Sequence, residues 1–232
     1  MPRTAEVEVF QFDELSPRAK ERARDWYREG MNDDQWWDSI YEDAETCAAI
    51  LGITIKYRTY TIAGKVERIG QEPCIWFSGF SSQGDGACFE GSYEYAKGCG
   101  RKIRKHAPPV YTDKDGTVHK SKSNARLAAI ADGLVELQKR YNWRLTASVN
   151  HTGRYSHPYC TEIDVEYEAA DGTNYPTVDD AKILAELLRD FMRWIYRQLQ
   201  DEWNYLNSDE TVDDNIRANE YEFDEDGDRW RD

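Results

Sequence analysis

The sequence predicts an α+β fold in which a mostly antiparallel sheet packs against several helices, with one long helix near the C-terminus. Two observations indicate this class. Strand-like segments come in pairs joined by short turns, and helical segments stand between the pairs instead of alternating with single strands. The 232 residues also include eight Trp, fifteen Tyr and seven Phe, an aromatic content that excludes a chain disordered throughout.

The first quarter of the chain predicts one strand and two helices. Alternating residues over 6–10 are typical of a strand, and a serine–proline pair begins a helix over 17–29 that a glycine ends. We expect Asp33 and Asp34 to open the second helix, because acidic side chains are favoured at the positive end of the helix dipole. Gly52 is the expected end of that helix.

The middle of the chain predicts strands and then a basic surface segment. Residues 53–63 alternate as a strand, and 74–80 and 87–95 are expected to form the two strands of a hairpin. Residues 100–122 are basic, contain two adjacent prolines and carry an Asp-Gly turn signal, so we expect a surface excursion there.

The remaining elements are two further helices, a strand pair and a short terminal helix. Ser123 is the expected cap of a helix with a continuous apolar stripe, which the strands 145–149 and 161–167 follow. Thr177, with an acid three residues later, resembles a capping box and opens the long helix. A short helix is expected over 211–219.

Charge is distributed unevenly along the chain, whose formal net charge is −14. Residues 201–232 carry thirteen acids against three arginines, a net of −10, whereas residues 97–126 carry a net of +7. We expect residues 1–208 to form a single α+β domain and 209–232 an acidic, partly ordered tail. An acidic total argues against direct binding of double-stranded DNA. It permits pairing between the basic and acidic segments, or an acidic surface that enters a basic groove of a partner.

Cysteine usage and hydropathy indicate a cytoplasmic chain. The cysteines are odd in number and no two have C-x-x-C spacing, which argues against a disulfide framework and a zinc site; they are Cys47, Cys74, Cys88, Cys99 and Cys160. No apolar run is long enough to span a membrane, and the opening residues contain no apolar secretory segment. We therefore expect reduced thiols, no membrane association, no metal and no cofactor.

Two turns form a possible ligand loop, whose residues are Ser82, Gly84, Asp85, Gly86, Arg154 and His157. The glycine run over 79–86 lacks the Lys-Ser or Lys-Thr of a phosphate-binding P-loop. An Asp-Gly pair between aromatic strands favours a tight hairpin turn with a positive φ at one of its glycines. The turn over 151–158 could bind an anion or simply satisfy its own backbone. No catalytic residue is assigned on either turn.

Acidic side chains form the predicted partner-binding surface, which comprises Asp33, Asp34, Asp38, Glu42, Glu162, Asp164, Glu166, Glu168, Asp224, Glu225 and Asp226. The four acids over 162–168 alternate, so in a strand they share one face at intervals of about 7 Å. The pattern fits either a solvated sheet face or a carboxylate row that imitates phosphates for a basic partner.

Four segments together resemble a family of phage- and prophage-encoded accessory proteins of about this length, sometimes labelled antitoxin-like. They are VFQFDELSPRAKERARDWYREG, WFSGFSSQGDGACFEG, HTGRYSHPYC and SDETVDDNIRANEYEFDEDG. The resemblance covers nearly the whole chain. It implies a virus-borne accessory protein that acts in a bacterial cytoplasm, and it transfers no catalytic residue.

The resulting hypothesis is a non-enzymatic counter-defence protein of anti-CRISPR or anti-restriction type. It would bind a host protein or protein–nucleic-acid complex that has a basic surface, and block it through the acidic side chains. Two alternatives remain open. One is an antitoxin-like protein whose acidic tail covers a toxin, and the other is a protein that binds or hydrolyses a nucleotide or another small anion.

Overall fold

A computed structural model describes residues 8–31, 35–62, 68–168 and 176–230. The α+β prediction is confirmed. The helices are α1 (Pro17–Met31), α2 (Asp38–Leu51), α3 (Cys99–His106), α4 (Lys122–Arg140), α5 (Val178–Leu206) and α6 (Asp209–Ala218), with short 3-10 turns at Phe12–Glu14 and Pro158–Cys160. The strands are β1 (Phe10–Gln11), β2 (Ile53–Ile55), β3 (Tyr57–Ile62), β4 (Arg68–Pro73), β5 (Ile75–Phe77), β6 (Ala87–Phe89), β7 (Gly91–Tyr93), β8 (Val110–Thr112), β9 (Val118–Lys120), β10 (Leu145–His151), β11 (Thr161–Tyr167) and β12 (Glu222–Phe223).

The chain divides into two compact units. The terminal unit consists of Met1–Trp37 and Gln200–Asp232, and the central unit consists of Asp38–Leu199. The predicted boundary at residue 208 stays a prediction. Within the described ranges, no helix is both long and apolar enough to cross a membrane.

The terminal unit has its own small core, built from both ends of the sequence. Small residues on α1 let α6 pack closely, and β1 pairs antiparallel with β12. The buried members of this core are Phe12, Leu15, Ala19, Ala23, Val212, Ile216 and Phe223. The predicted helix over 17–29 is confirmed, although it continues through Gly30 to Met31.

The central unit contains a four-stranded antiparallel sheet in the order β11-β10-β7-β2. Alternate residues of β10 are buried, which fits a sheet covered on one side only. The side chain of Gln138 on α4 donates to the carbonyl oxygen of Leu145 at 2.7 Å and accepts from its N–H at 3.1 Å. This buried amide fixes α4 against the start of β10.

Several predicted boundaries move in the central unit. The strand expected over 53–63 is interrupted after Ile55, so it forms β2 and β3. The cap of α4 is Ser121, whose hydroxyl accepts from the N–H of Asn124 at 3.1 Å, and not Ser123. The basic segment 100–122 contains most of α3 and a β8–β9 hairpin, and α3 buries Ile103 completely.

The tight Asp-Gly hairpin turn predicted at 85–86 is wrong. Strands β5 and β6 do pair, but their last and first partners are Phe77 and Ala87, so nine residues connect them. Gly84 carries the expected positive φ of 105°, and Gly86 does not. A longer loop replaces the turn because Asp85 caps it internally: its Oδ2 accepts from the N–H groups of Ser81 and Ser82 at 2.9 and 2.6 Å.

Candidate functional site

One side of the four-stranded sheet is exposed and entirely polar. We call it the open face and define it by the outward side chains of its four strands: Thr54, Ser92, Thr146, Ser148, Asn150, Glu162, Asp164 and Glu166, all of which are exposed. At a strand spacing of about 4.8 Å the four strands are about 14 Å across. The open face is therefore a flat platform of short hydroxyl and amide side chains with carboxylates along one edge.

The strand register places each carboxylate beside a small polar residue. Glu162 lies opposite Asn150, Asp164 opposite Ser148 and Glu166 opposite Thr146. Short neighbours leave the carboxylates accessible from above. The predicted alternation of acids along this strand is confirmed, because Ile163 and Val165 between them turn to the other side and are only partly exposed.

The carboxylates of the open face have no cationic partner in the part of the chain that the structure describes. Among the described residues, none of Glu162, Asp164 and Glu166 forms an ion pair or a side-chain hydrogen bond. Lys56, which follows β2 in the sequence, already pairs with another carboxylate, because its Nζ lies 3.2 Å from Glu90. Three like charges at intervals of about 7 Å repel one another, and only solvent and salt screen them.

A cleft of about 520 Å³ lies at one end of the open face. Its walls combine carboxylates with aromatic rings: Glu94, Tyr95, Trp143, Glu166 and Glu168 all line it. The rings of Tyr95 and Trp143 are in contact, with centroids 4.5 Å apart, and the Trp143 side chain remains 41% exposed. Arg144 also lines the cleft and donates to the backbone carbonyl of Glu168 at 3.4 Å.

The backbone that presents Trp143 adopts an uncommon conformation. Asn142 and Trp143 both have positive φ, at 51° and 64°, which is unusual for a bulky aromatic residue. The Gln138 carbonyl holds the turn by accepting from the N–H groups of Tyr141 and Trp143 at 3.1 and 2.9 Å. The turn therefore keeps an exposed indole beside three carboxylates.

Other predicted acidic residues lie away from this face or outside the described residues. Asp33 and Asp34 are outside the described residues, and Asp38 and Glu42 are exposed on α2. The α2 acid that reaches the sheet is Glu45, which lines a second cleft beside Thr54 and Glu94.

Several of the terminal acids pair with arginines of their own unit. Asp213 receives two hydrogen bonds from Arg24, at 2.6 and 2.9 Å, and these raise the pKa of that arginine. Asp209 pairs with Arg28, and Asp228 pairs with Arg22 at 2.8 Å. These three acids therefore pair with α1 and not with the basic segment 97–126, which was the pairing considered from the sequence.

The predicted binding residues near the C-terminus form a turn. The carboxylate of Asp224 accepts from the N–H groups of Asp226 and Asp228, at 3.0 and 2.9 Å. Its side chain therefore stabilises the turn, whereas Glu225 and Asp226 are exposed.

The two turns of the possible ligand loop do come together. A Cβ added to Gly86 would lie 3.0 Å from His157 Cδ2 and 3.1 Å from Pro158 Cδ, so the glycine permits this contact. His157 Nδ1 accepts from the N–H of Tyr159 at 3.2 Å, and Arg154 is exposed. The amides of Ser81 and Ser82 that could hold an anion already bind Asp85. Ligand binding at Ser82, Gly84 and Asp85 stays a prediction.

The cysteines are free thiols, and four of the five are buried. Burial raises the pKa of Cys47 to about 12, and likewise that of Cys88 to about 12. A protonated, buried thiol is a poor nucleophile. Neither side chain offers a catalytic thiolate in this structure.

Sequence reasoning missed the cleft and most of the open face. The polar alternation of Thr146, Ser148 and Asn150 is visible in the sequence and could have indicated an exposed face. No sequence signal places Tyr95 against Trp143, because 48 positions separate them and the positive φ at Trp143 is not encoded by a glycine.

Comparison with known protein families yields a match over most of the chain. The model of a family described as "Domain of unknown function (DUF8835)" matches residues 36–209. No curated protein and no solved structure matches the chain.

Proposed function

We propose that this chain, which belongs to the DUF8835 family of domains of unknown function, is a non-enzymatic binding protein that captures a basic protein surface on its open face. One observation carries the proposal: Glu162, Asp164 and Glu166 stand in a row on an exposed face without cationic partners among the described residues. A partner that supplies arginines or lysines would relieve their mutual repulsion and gain attraction at the same time.

The cleft beside the row supports a partner with an anchoring cation. A guanidinium or ammonium group bound there would meet the Trp143 ring and the carboxylates of Glu94 and Glu166. Cations are attracted to the faces of aromatic rings, and most strongly to tryptophan. Buried arginines paired with aromatic rings are typical of the few residues that dominate protein interfaces. Arg144 forms part of the cleft wall and therefore bounds the space that this cation can occupy.

The partner that we propose is a bacterial complex that handles nucleic acid, and the role is phage counter-defence of anti-CRISPR or anti-restriction type. Proteins that hold nucleic acids present basic grooves, and a row of carboxylates at about 7 Å intervals offers such a groove a substitute for phosphates. The resemblance to phage accessory proteins supports this role, which the chain would perform in the bacterial cytoplasm.

Neither alternative gains a specific observation. An antitoxin-like role would require the tail from Asp209 onward to cover a toxin, whereas Asp209 and Asp213 pair with arginines of α1. A nucleotide site would require free amides in the glycine loop, and Asp85 occupies two of them.

The decisive experiment measures phage plating on bacteria that carry a restriction or CRISPR system, with and without expression of the chain. The wild-type chain is expected to restore plating on at least one such strain. The variant E162K/D164K/E166K should fail to do so while remaining folded by circular dichroism. With the purified target, the association rate should fall by about tenfold or more in this variant, and also in wild type at high salt.

A matched control separates the open face from total charge. The variant D115K/D179K/D201K makes the same number of acid-to-lysine changes at exposed positions outside the open face. It should restore plating like the wild type. Equal loss in both variants would assign the effect to net charge and contradict the proposed site. Restored plating with the variant E162K/D164K/E166K would also contradict the proposed site.

A further inference from the structure

A group of three potential metal ligands lies between α2 and α3, apart from the open face. Asp43 and Cys47 are four residues apart on α2 and therefore share one side of that helix. His106 is the last residue of α3 and brings its Nε2 to 3.1 Å from a carboxylate oxygen of Asp43. The carboxylate oxygen, the thiol sulfur and the ring nitrogen all lie within 4.8 Å of one another.

This spacing suits a tetrahedral metal ion. Bonds of about 2.0–2.1 Å to nitrogen or oxygen and about 2.3 Å to sulfur place neighbouring tetrahedral ligands about 3.3–3.7 Å apart. The three atoms need to move by no more than about 1 Å to reach those distances. Exposed side chains can make this adjustment, and the side chains of His106 and Asp43 are 36% and 48% exposed.

The donor set selects the class of metal. A sulfur, an imidazole nitrogen and a single carboxylate suit a borderline-soft ion such as Zn²⁺, whereas Mg²⁺ and Ca²⁺ prefer oxygen donors throughout. Cys47 is fully buried at the base of the group, and the other two ligands stand at its solvent-facing rim. A fourth position is therefore accessible to water.

We infer that Asp43, Cys47 and His106 form a Zn²⁺ site that ties the end of α3 to α2, with water as the fourth ligand. Binding transfers the thiol proton to solvent and forms one bond from the ion to each of the three side chains. This inference differs from the expectation of no metal, which rested on the lack of a C-x-x-C pair, because the third ligand stands 59 positions beyond Cys47 in the sequence.

The chain contains a natural comparison for this site. His119 Nε2 lies 2.7 Å from a carboxylate oxygen of Asp113, so it forms the same kind of histidine–aspartate pair. Among the described residues, no cysteine joins that second pair in a potential ligand group. Any metal affinity that arises from a histidine–aspartate pair alone should therefore appear equally at both places.

The test uses the full chain, reduced and freed of metal with a chelator, titrated with Co²⁺ and with Zn²⁺. We expect one equivalent to bind, with a thiolate-to-cobalt charge-transfer band that Zn²⁺ abolishes by displacement. Cys47→Ser should remove the band. Asp43→Asn and His106→Gln, at the exposed rim, should each weaken Zn²⁺ binding by about tenfold or more. Hydrogen exchange at the end of α3 should slow when Zn²⁺ is added to the wild type.

Controls decide between this site and adventitious binding. His119→Gln and Cys88→Ser should bind both ions like the wild type. The inference is overturned if the wild type shows no charge-transfer band, if the band survives in Cys47→Ser, or if His119→Gln loses as much affinity as His106→Gln. If Cys47→Ser does not fold, the two rim variants give the answer. None of these variants alters the open face, so this result is independent of the partner-binding proposal.

Discussion

The acidic end of the chain and the acidic row of β11 look alike in sequence but differ in what surrounds their charges. In the terminal unit, Asp209, Asp213 and Asp228 each lie against an arginine of α1. In the central unit, the row on the open face lies beside hydroxyl and amide side chains, without cationic partners among the described residues. The first region holds the greater charge and pairs part of it internally, whereas the row of the second region leaves its charge available.

This difference shows that charge density alone does not tell which carboxylates are free to pair with a partner. Carboxylates that already pair with arginines must lose those partners before they can bind another protein. Carboxylates held together without partners repel one another and reduce stability slightly. A cation that binds to them removes this repulsion and adds attraction. Three changes in the terminal unit and one on the open face can test this distinction, and their expected effects decrease in the order given below.

Removal of residues 209–232 should have the largest effect, because Val212, Ile216 and Phe223 belong to the core of the terminal unit. Loss of large buried side chains costs about 2–5 kcal/mol each, so we expect the terminal unit to unfold. Hydrogen exchange should show loss of protection throughout α1. The double variant E225Q/D226N, which changes exposed acids only, should keep that protection. Persistent protection of α1 in the truncated chain would mean that the C-terminal segment is a dispensable tail.

Asp213→Ala should destabilise the protein by about 1–3 kcal/mol, because it removes both hydrogen bonds that Asp213 accepts from a mostly buried arginine, Arg24. The side chains of Arg24 and Asp213 are each only 15% exposed. Its neighbour provides the control, since Asp214 is 73% exposed and Asp214→Ala should change the free energy of unfolding by less than about 0.5 kcal/mol. Urea denaturation measures both. Equal effects at the two positions would show that the pair of Asp213 with Arg24 adds no more to the free energy of unfolding than an exposed aspartate does.

Neutralisation of the row, in E162Q/D164N/E166Q, should raise the free energy of unfolding by a few tenths of a kcal/mol, because like charges on neighbouring positions repel. The expected change is a gain in stability, whereas Asp213→Ala is expected to reduce stability. Added salt should reproduce the gain in the wild type, since it screens exposed charges. Thermal unfolding at low and high salt checks this. A loss of stability in the variant would reveal favourable contacts of the row and weaken the case for its availability.

The smallest effect is expected at Asp13, and it depends on pH. A hydrogen bond from Arg217 holds the pKa of this exposed carboxyl below its ordinary value of 3.8. Its contribution to stability is therefore present above the ordinary value and is lost as the pH falls through the lower, folded-state value. Asp13→Asn should remove this part of the acid dependence, so acid titrations of the two proteins should converge at low pH. A constant difference at every pH would rule out this linkage.

Local patterns predicted the strands and helices well, and long-range pairing escaped prediction. The alternation along β11 depends on neighbours in sequence. So does the start of α5, where the Thr177 hydroxyl accepts from the N–H of Asp180 at 3.2 Å. The match of Arg24 with Asp213 spans 189 positions, and no local rule selects it. At Asp85 a local rule misled, because the carboxylate caps two amides of a longer loop instead of starting a two-residue turn.

The pairing of β1 with β12 has a consequence for the order of events during synthesis. Residues 38–199 are contiguous and can fold on the ribosome once they have emerged. The strand partner of Phe10 is Phe223, so β1 leaves the ribosome well before the strand with which it pairs. β1 must therefore remain without its strand partner until residue 223 has been synthesised. A chain that stops before α6 lacks Val212, Ile216 and Phe223 of this core, so the apolar face of α1 stays exposed to proteases and chaperones.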